Sequence, residues 1–210
     1  LFPNQVKGEE VLLVHLNPGN YHEWWAGFHL SAEYAKTRHP DHRELLVHSE
    51  AAVIDLQVAD DNRISATAQM EYVVAQPARV LSFNLNGILR ISSIEDESGN
   101  NLSFIQEDRD LDSDPWIILN NPVKPGEKHK IKITYKEEST RESRVVHEEG
   151  AGLYLVVARE SWFPSFGSCP DDRTQYEIRA RSPQRYKFVA SGIQTASEKQ
   201  KDGLMTIEYH

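Results

Sequence analysis

The sequence predicts a mainly β protein, an antiparallel β-sandwich or saddle with one N-terminal helix. Apolar and polar residues alternate through AAVIDLQVADDNRISATAQMEYVVAQ, a pattern typical of a hairpin with one buried face. Turn sequences then recur about every 8–12 residues, the spacing of many all-β domains. By contrast, Trp25, Phe28, Ala32 and Ala35 recur at spacings of three and four, which predicts a helix over residues 21–37.

The same alternation predicts each strand in turn. The predicted inward residues of the first hairpin lie on either side of an Asp60-Asp61-Asn62 turn; they are Ile54, Leu56, Val58, Ile64, Ala66, Ala68, Met70 and Tyr72. Further on, Pro125-Gly126 predicts a type II turn, because proline presets the first central residue and glycine accepts the positive φ of the second. Alternating segments continue to LMTIEYH at the end, giving roughly ten strands in all.

Composition and charge exclude several classes of partner. The chain of 210 residues is 39% hydrophobic and 26% charged, as in ordinary globular proteins. Its formal net charge of -9, without a basic stripe, argues against nucleic acid as a partner. No apolar run approaches the ~18 residues that a membrane-spanning helix needs, so no membrane is expected either. The single cysteine, Cys169, precludes an intrachain disulfide.

Candidate metal motifs fail on their spacing. His22-Glu23 opens like H-E-x-x-H, but the fifth position is Ala26, and His29 lies about two helical turns away. Asp110, Asp112 and Asp114 resemble the start of an EF-hand loop, whose sixth and twelfth positions here hold proline and asparagine instead of glycine and glutamate. The histidines at 39, 42 and 48 lack a paired fourth ligand. We therefore expect no metal site within these residues.

No catalytic group is indicated either. Cys169 has no histidine beside it to act as a base, and Ser161 is not in a G-x-S-x-G turn.

The tryptophans suggest another class of function, since exposed aromatic rings line many carbohydrate sites. Trp25 and Trp116 lie in apolar patterns typical of a core, which leaves Trp24 and Trp162 as candidates for a binding surface.

Three further segments, in a fixed order, carry a resemblance to a known family. They are the hairpin AAVIDLQVADDNRISATAQMEY, the pair FNLNGILRISSIED and NPVKPGEKHKIKITYKEE, and ARESWFPSFG followed by TQYEIRARSPQRYKFVASG. The succession resembles the N-terminal β-domain of the aminopeptidase N family of zinc metallopeptidases. The resemblance covers residues 44–210, which we expect to form that domain, and leaves residues 1–43 as an N-terminal flank carrying the helix.

The resemblance implies a non-catalytic domain that braces a catalytic domain and shapes the substrate cleft. That catalytic domain, expected C-terminal to His210, would hold the zinc and act on a peptide substrate; no cofactor is expected in this segment. The chain begins at Leu1 and stops inside an apparent strand, so we expect a piece of a longer protein. The alternative hypothesis is a stand-alone protein- or carbohydrate-binding β-sandwich module.

The resemblance also implies which residues face the cleft. The segment ESWFPSF matches the family's A-R-S-W-x-P-C stretch, so Arg159, Glu160, Trp162 and Phe163 are the expected cleft contacts, with none of them catalytic. In the family, a Gln or Glu about seven residues before the tryptophan holds the amino terminus of the substrate. The corresponding residue is Leu155, which cannot bind an ammonium group. Arg159 or Glu160 would take a related role if the loop is shifted.

Overall fold

The computed structural model describes most of the chain as β-strands and their connections. The described residues are 2–3, 10–16, 22–29, 47–108, 114–138, 146–149, 152–155, 161–166, 174–190, 192–200 and 204–209. The chain divides into two compact units, Leu1–Leu45 and Leu46–His210. None of the described residues forms an α-helix, so no helix in this part of the chain could cross a membrane.

The first unit contains a three-stranded antiparallel sheet. Its strands are β1 (Phe2–Pro3), β2 (Glu10–Leu16) and β3 (His22–His29), in the order β1-β2-β3. The predicted helix over residues 21–37 is therefore wrong for residues 22–29, and the rest of that helix lies outside the described residues.

The pairing of β2 with β3 gives the physical reason for this error. The run EVLLVHL is a strand partner close in sequence, and the Pro18-Gly19-Asn20 sequence between the two strands is typical of a hairpin connection. A register shift between Leu13 and Val14 leaves Trp25 without a residue opposite. A three–four spacing over a short aromatic run does not distinguish helix from strand, and pairing with a neighbour decides the outcome.

The second unit is built on a seven-stranded sheet in the order β14-β15-β13-β4-β5-β10-β7. Its strands are β4 (Val47–Val58), β5 (Ile64–Val74), β7 (Leu89–Asp96), β10 (Lys128–Glu137), β13 (Gln175–Pro183), β14 (Gln194–Lys199) and β15 (Leu204–Tyr209). A three-stranded sheet has the order β6-β9-β8, with β6 at Ala78–Ser82, β8 at Ser103–Ile105 and β9 at Trp116–Val123. A two-stranded sheet pairs β11 (Val146–Glu149) with β12 (Gly152–Leu155).

The first predicted hairpin is confirmed, together with its buried face. All eight predicted inward residues of β4 and β5 are buried. The turn between the strands places Asn62 at a φ of 66°, a conformation that asparagine tolerates better than most residues. The turn at Pro125-Gly126 is also as predicted: Gly126 has a φ of 78°, and the Glu127 N–H donates to the Lys124 carbonyl at 3.3 Å.

One pairing departs from the predicted antiparallel pattern. β13 pairs with β4 in parallel, with Ile178 opposite Ile54. Thr174 fixes the start of this pairing, since its hydroxyl donates to the Ser49 carbonyl, 125 residues earlier, at 3.2 Å. A parallel neighbour requires a long crossover connection rather than a hairpin, so local turn sequences carry no signal for it.

The core lies between the seven-stranded and three-stranded sheets. A row of apolar side chains runs from the central strand β4 of the larger sheet to its edge strand β7, with Ile54 opposite Ala68, Ala68 opposite Ile133, and Ile133 opposite Ile94. These four residues are at most 1% exposed and belong to one cluster with Leu81 and Ile117 of the smaller sheet.

Replacing Ile133 by alanine tests this packing. Ile133 is fully buried on β10, between β5 and β7, so Ile133→Ala should lower the free energy of unfolding by about 2–5 kcal/mol in urea titrations. The matched control is Ile193→Ala, because Ile193 is 75% exposed and its truncation should change stability by less than about 0.5 kcal/mol. Equal effects of the two substitutions would contradict this core.

A second prediction concerns high pH. Burial, with a smaller contribution from the charge of Glu97, raises the pKa of Tyr72 to about 12 from its usual value near 10. The neutral phenol therefore stabilises the fold below pH 10, and this contribution is lost as the pH rises from about 10 to 12. Tyr72→Phe should flatten the fall in stability over that range, measured by urea titrations at each pH. An unchanged slope in the variant would argue against a buried phenol.

Candidate functional site

The expected cleft contacts lie on residues 161–166, here called the cleft segment. Trp162 is buried, with 6% of its surface exposed, whereas Phe163 is half-buried. Arg159 and Glu160 lie outside the described residues. Leu155, at the position expected for the anchor of a substrate amine, is the last residue of β12 and pairs with Val146.

Asn84 attaches the cleft segment to the end of β6. The backbones of Asn84 and Ser165 form a two-way bridge, with N–O distances of 2.8 and 3.1 Å. The Asn84 side-chain oxygen accepts a hydrogen bond from the Ser161 N–H at 3.2 Å, and the Ser161 carbonyl accepts one from the Asn86 N–H at 2.8 Å. Hydrogen bonds at both ends of the cleft segment hold its backbone against the β6–β7 connection.

Aromatic rings hold the same segment from its other side. The rings of Trp162 and Phe163 meet edge to face, with 4.9 Å between their centroids. The Phe163 ring also meets the ring of Tyr176 of β13 edge to face, with 5.2 Å between the centroids. The ring centroid of Phe166 lies 6.0 Å from that of Phe83 and 5.4 Å from that of Tyr72 of β5. Such edge-to-face and tilted pairs fix ring orientations, so the segment is positioned by both the large sheet and the β6 end.

The sequence did not single out Asn84, Phe166 or Tyr176. Asn84 lies 77 residues before the amide that it binds, so nothing in its local pattern indicates the contact. Phe166 ends the matching stretch ESWFPSF, but the resemblance assigns it no role. Only the fold brings these residues to the cleft segment.

A second feature is a shallow groove across the solvent-facing side of the large sheet, with a volume of about 540 Å³. One row of its lining crosses five strands, with Glu208, Arg179, Asp55, Thr67 and Thr134 successively opposite one another. Arg179 donates to Glu177 at 2.6 Å and lies 3.7 Å from Asp55. The pKa of Arg179 is raised above its usual value, mainly by its hydrogen bond to Glu177.

This groove contains no catalytic set and no aromatic platform. Its lining residues include hydroxyl groups and paired charges, but neither histidine nor cysteine. The aromatic residue among them, Tyr135, has its side chain in the core, where burial raises its pKa above the usual value. A carbohydrate platform would need exposed ring faces, and Trp162 is buried as well.

The remaining candidates from the sequence do not come together. Within the described residues, no three His, Cys, Asp or Glu side chains are placed to hold a metal ion. His48 is exposed on β4 and Asp114 is half-buried. Residues 39, 42, 110, 112 and 169 lie outside the described residues, as do the side chains of Trp24 and Trp25.

Comparison with solved structures shows where else this fold occurs. The chain is similar to the M1 zinc metallopeptidase of Deinococcus radiodurans, with a TM-score of 0.65 and 18% identity over 80% of this chain. A mutant of that enzyme bound to the substrate Tyr-Ser-Ala matches over 78% of this chain with the same score and identity. Legionella pneumophila aminopeptidase A, in complex with aspartic acid, matches over 80% at a TM-score of 0.64 and 15% identity.

These likenesses are structural. No protein-family model matches the sequence, and no curated protein is matched by it. The matched part makes up 40% of the Deinococcus chain and 20% of the Legionella chain, so the likeness covers less than half the length of either protein. The chain therefore has a mainly β fold that also forms part of M1 zinc metallopeptidases.

Proposed function

We propose that residues 44–210 form the non-catalytic β-domain of an aminopeptidase N-like zinc metallopeptidase. The fold likeness over 80% of the chain, which spans only 40% of the Deinococcus enzyme, carries this proposal. The domain braces a catalytic domain of the same polypeptide and shapes one wall of its substrate cleft. In this proposal the catalytic domain, rather than this one, would hold the zinc.

The construction of the cleft segment supports a role in positioning rather than in catalysis. Its backbone is held by Asn84, and its rings pack against Tyr72 and Tyr176. A wall of a cleft must keep its shape when substrate binds, because loosely held contacts lose binding free energy when they become ordered. Phe163 is half-buried and offers part of its ring for contact, while the buried Trp162 supports it from behind.

The ligands bound in the similar structures support a peptide as the substrate class. A peptide occupies one Deinococcus structure and an amino acid the Legionella structure. We infer a peptide substrate for the full-length protein, with Arg159, Glu160 and Phe163 as contacts and the buried Trp162 packed against Phe163. Leucine at 155 lacks a carboxylate, so recognition of the substrate's amino terminus depends on other groups.

The first test compares the 210-residue chain with the full-length protein encoded by its gene. The full-length protein should contain one zinc per chain and hydrolyse amino-acyl arylamides, and a chelator should abolish that hydrolysis. The 210-residue chain should do neither. Stoichiometric zinc together with hydrolysis by the 210-residue chain alone would overturn the proposal, as would a gene without H-E-x-x-H beyond residue 210.

Asn84→Ala tests the positioning role. The substitution leaves the buried Ser161 amide without its acceptor, so stability should fall by about 1–2 kcal/mol, and that amide should exchange hydrogen roughly tenfold faster. In the full-length enzyme KM should rise more than kcat falls. The control is Asn86→Ala, which removes only a local bond to the Ile88 N–H. Equal exchange at Ser161 in both variants would show that Asn84 does not hold the segment.

A further inference from the structure

His129 begins a chain of ring contacts that ends in the cleft segment. It lies on β10 directly opposite Tyr72 of β5, and the centroids of the two rings are 5.8 Å apart. The Tyr72 ring in turn lies 5.4 Å from the ring of Phe166, the last residue of the cleft segment. The orientation of the His129 ring therefore bears, through one intermediate ring, on the segment that would line the cleft.

Two carboxylates flank the His129 ring. Its Nδ1 atom lies 4.0 Å from Oε2 of Glu97, just beyond β7, and its Nε2 atom lies 3.7 Å from Oε2 of Glu127, in the turn before β10. Nε2 is buried and has no hydrogen-bond partner within the part of the chain that the structure describes. Both glutamates are about half exposed, so small rotations of their side chains bring them to hydrogen-bond distance.

The protonation state of His129 decides whether both of its nitrogens are satisfied. An ionised carboxylate only accepts hydrogen bonds, whereas a neutral imidazole has one donor nitrogen and one acceptor nitrogen. In either neutral tautomer, one ring nitrogen therefore turns a lone pair toward a carboxylate. Only the imidazolium donates from both nitrogens, and it also attracts both negative charges. Histidine is the side chain that gains this charge as the pH falls from about 8 to about 5.

The lysines beside His129 lie on the opposite face of the sheet. Side chains alternate along β10, so Lys128 and Lys130 point away from the His129 ring. They form ion pairs with Glu50 and Glu71. Among the described residues, the titratable side chains that face the ring from the elements around it are Tyr72, Glu97 and Glu127.

Tyr72 does not change its charge in the range where histidine titrates. Burial, with a smaller contribution from the charge of Glu97, raises the pKa of Tyr72 to about 12. The phenol is therefore neutral on both sides of the histidine range, and its ring transmits the effect without titrating itself.

We propose that His129 is a positioning residue for the cleft segment and that it holds the segment more firmly when it is protonated. This inference deepens the proposed function and rests on it. An imidazolium bonded on both sides fixes its ring, and the ring contacts pass that constraint to Tyr72 and then to Phe166. An ordered wall loses less conformational entropy when substrate binds. Through His129, the cleft therefore binds its substrate more tightly in weakly acidic than in weakly alkaline solution.

Hydrogen exchange in the full-length protein tests the order of the segment directly. The reporter is the Ser165 N–H, which donates to the Asn84 carbonyl at 3.1 Å and adjoins Phe166. Its protection factor, which is corrected for the intrinsic pH dependence of exchange, should be roughly threefold higher at about pH 5.5 than at about pH 8. In His129→Gln the two values should be equal. The matched control is His48→Gln, because His48 is exposed on β4 and its loss should leave the pH dependence unchanged.

A second variant leaves the ring contacts intact. Glu97→Gln combined with Glu127→Gln removes the two negative charges from side chains that are about half exposed, so folding should survive. The pH dependence of exchange at Ser165 should disappear in this variant as well.

Kinetics give an independent readout. With the tripeptide Tyr-Ser-Ala as substrate, KM of His129→Gln should exceed that of the wild-type enzyme roughly threefold at about pH 5.5 and match it at about pH 8. The value of kcat should be the same in both proteins at each pH, because His129 touches neither substrate nor metal in this proposal. A kcat that falls while KM stays unchanged would contradict a positioning role.

The outcomes separate this inference from the proposed function. Equal protection of Ser165 at the two pH values in the wild-type protein would overturn the inference, even in a protein that holds zinc and cleaves peptides. A pH dependence that persists in His129→Gln would assign the effect to another group and would also overturn it. A dependence that requires His129, found in a protein without peptidase activity, would support the positioning of the segment and refute only the proposed function.

Discussion

Burial of one face of β4, β5 and β10 is the constraint on which the rest of the second unit depends. The row Ile54, Ala68, Ile133 and Ile94 excludes water from the middle of the large sheet. Because side chains alternate, fixing this row also fixes which residues face solvent, and a one-residue slip would expose the whole row. Small alanines opposite large isoleucines allow the inner face of β6, β9 and β8 to pack closely against it.

Two further features follow from this packing. The small sheet has an inner face in the core, so its outer face is left without a partner within the described part of this unit. The cleft segment, in turn, occupies the place where the two sheets meet, with Phe166 between Phe83 and Tyr72. The position of the candidate site is thus a consequence of sheet packing rather than of any local sequence motif.

The parts of the fold that could be predicted are those that depend on local signals. The β4–β5 hairpin was predicted down to its inward residues because a two-residue period and an Asp-Asp-Asn turn lie within one short stretch. Residues 22–29 were misassigned because consecutive aromatic residues fit both periods, and their pairing with β2 decided the outcome. The parallel pairing of β13 with β4 and the bond from Ser161 to Asn84 join distant parts of the chain, so no local pattern contains them.

The chain shares its fold with M1 metallopeptidases at only 15–18% identity. The fold requires alternating apolar and polar residues along each strand, turn residues between strands, and core side chains of matching volume. Many sequences satisfy these conditions. A site for a substrate's amino terminus requires a carboxylate or an amide oxygen at one position, and the corresponding position here holds Leu155. An apolar residue at 155 is compatible with the strand, because Leu155 of β12 still pairs with Val146 through backbone groups. Under the proposed function, recognition of a substrate's amino terminus would have to use groups other than the side chain of residue 155.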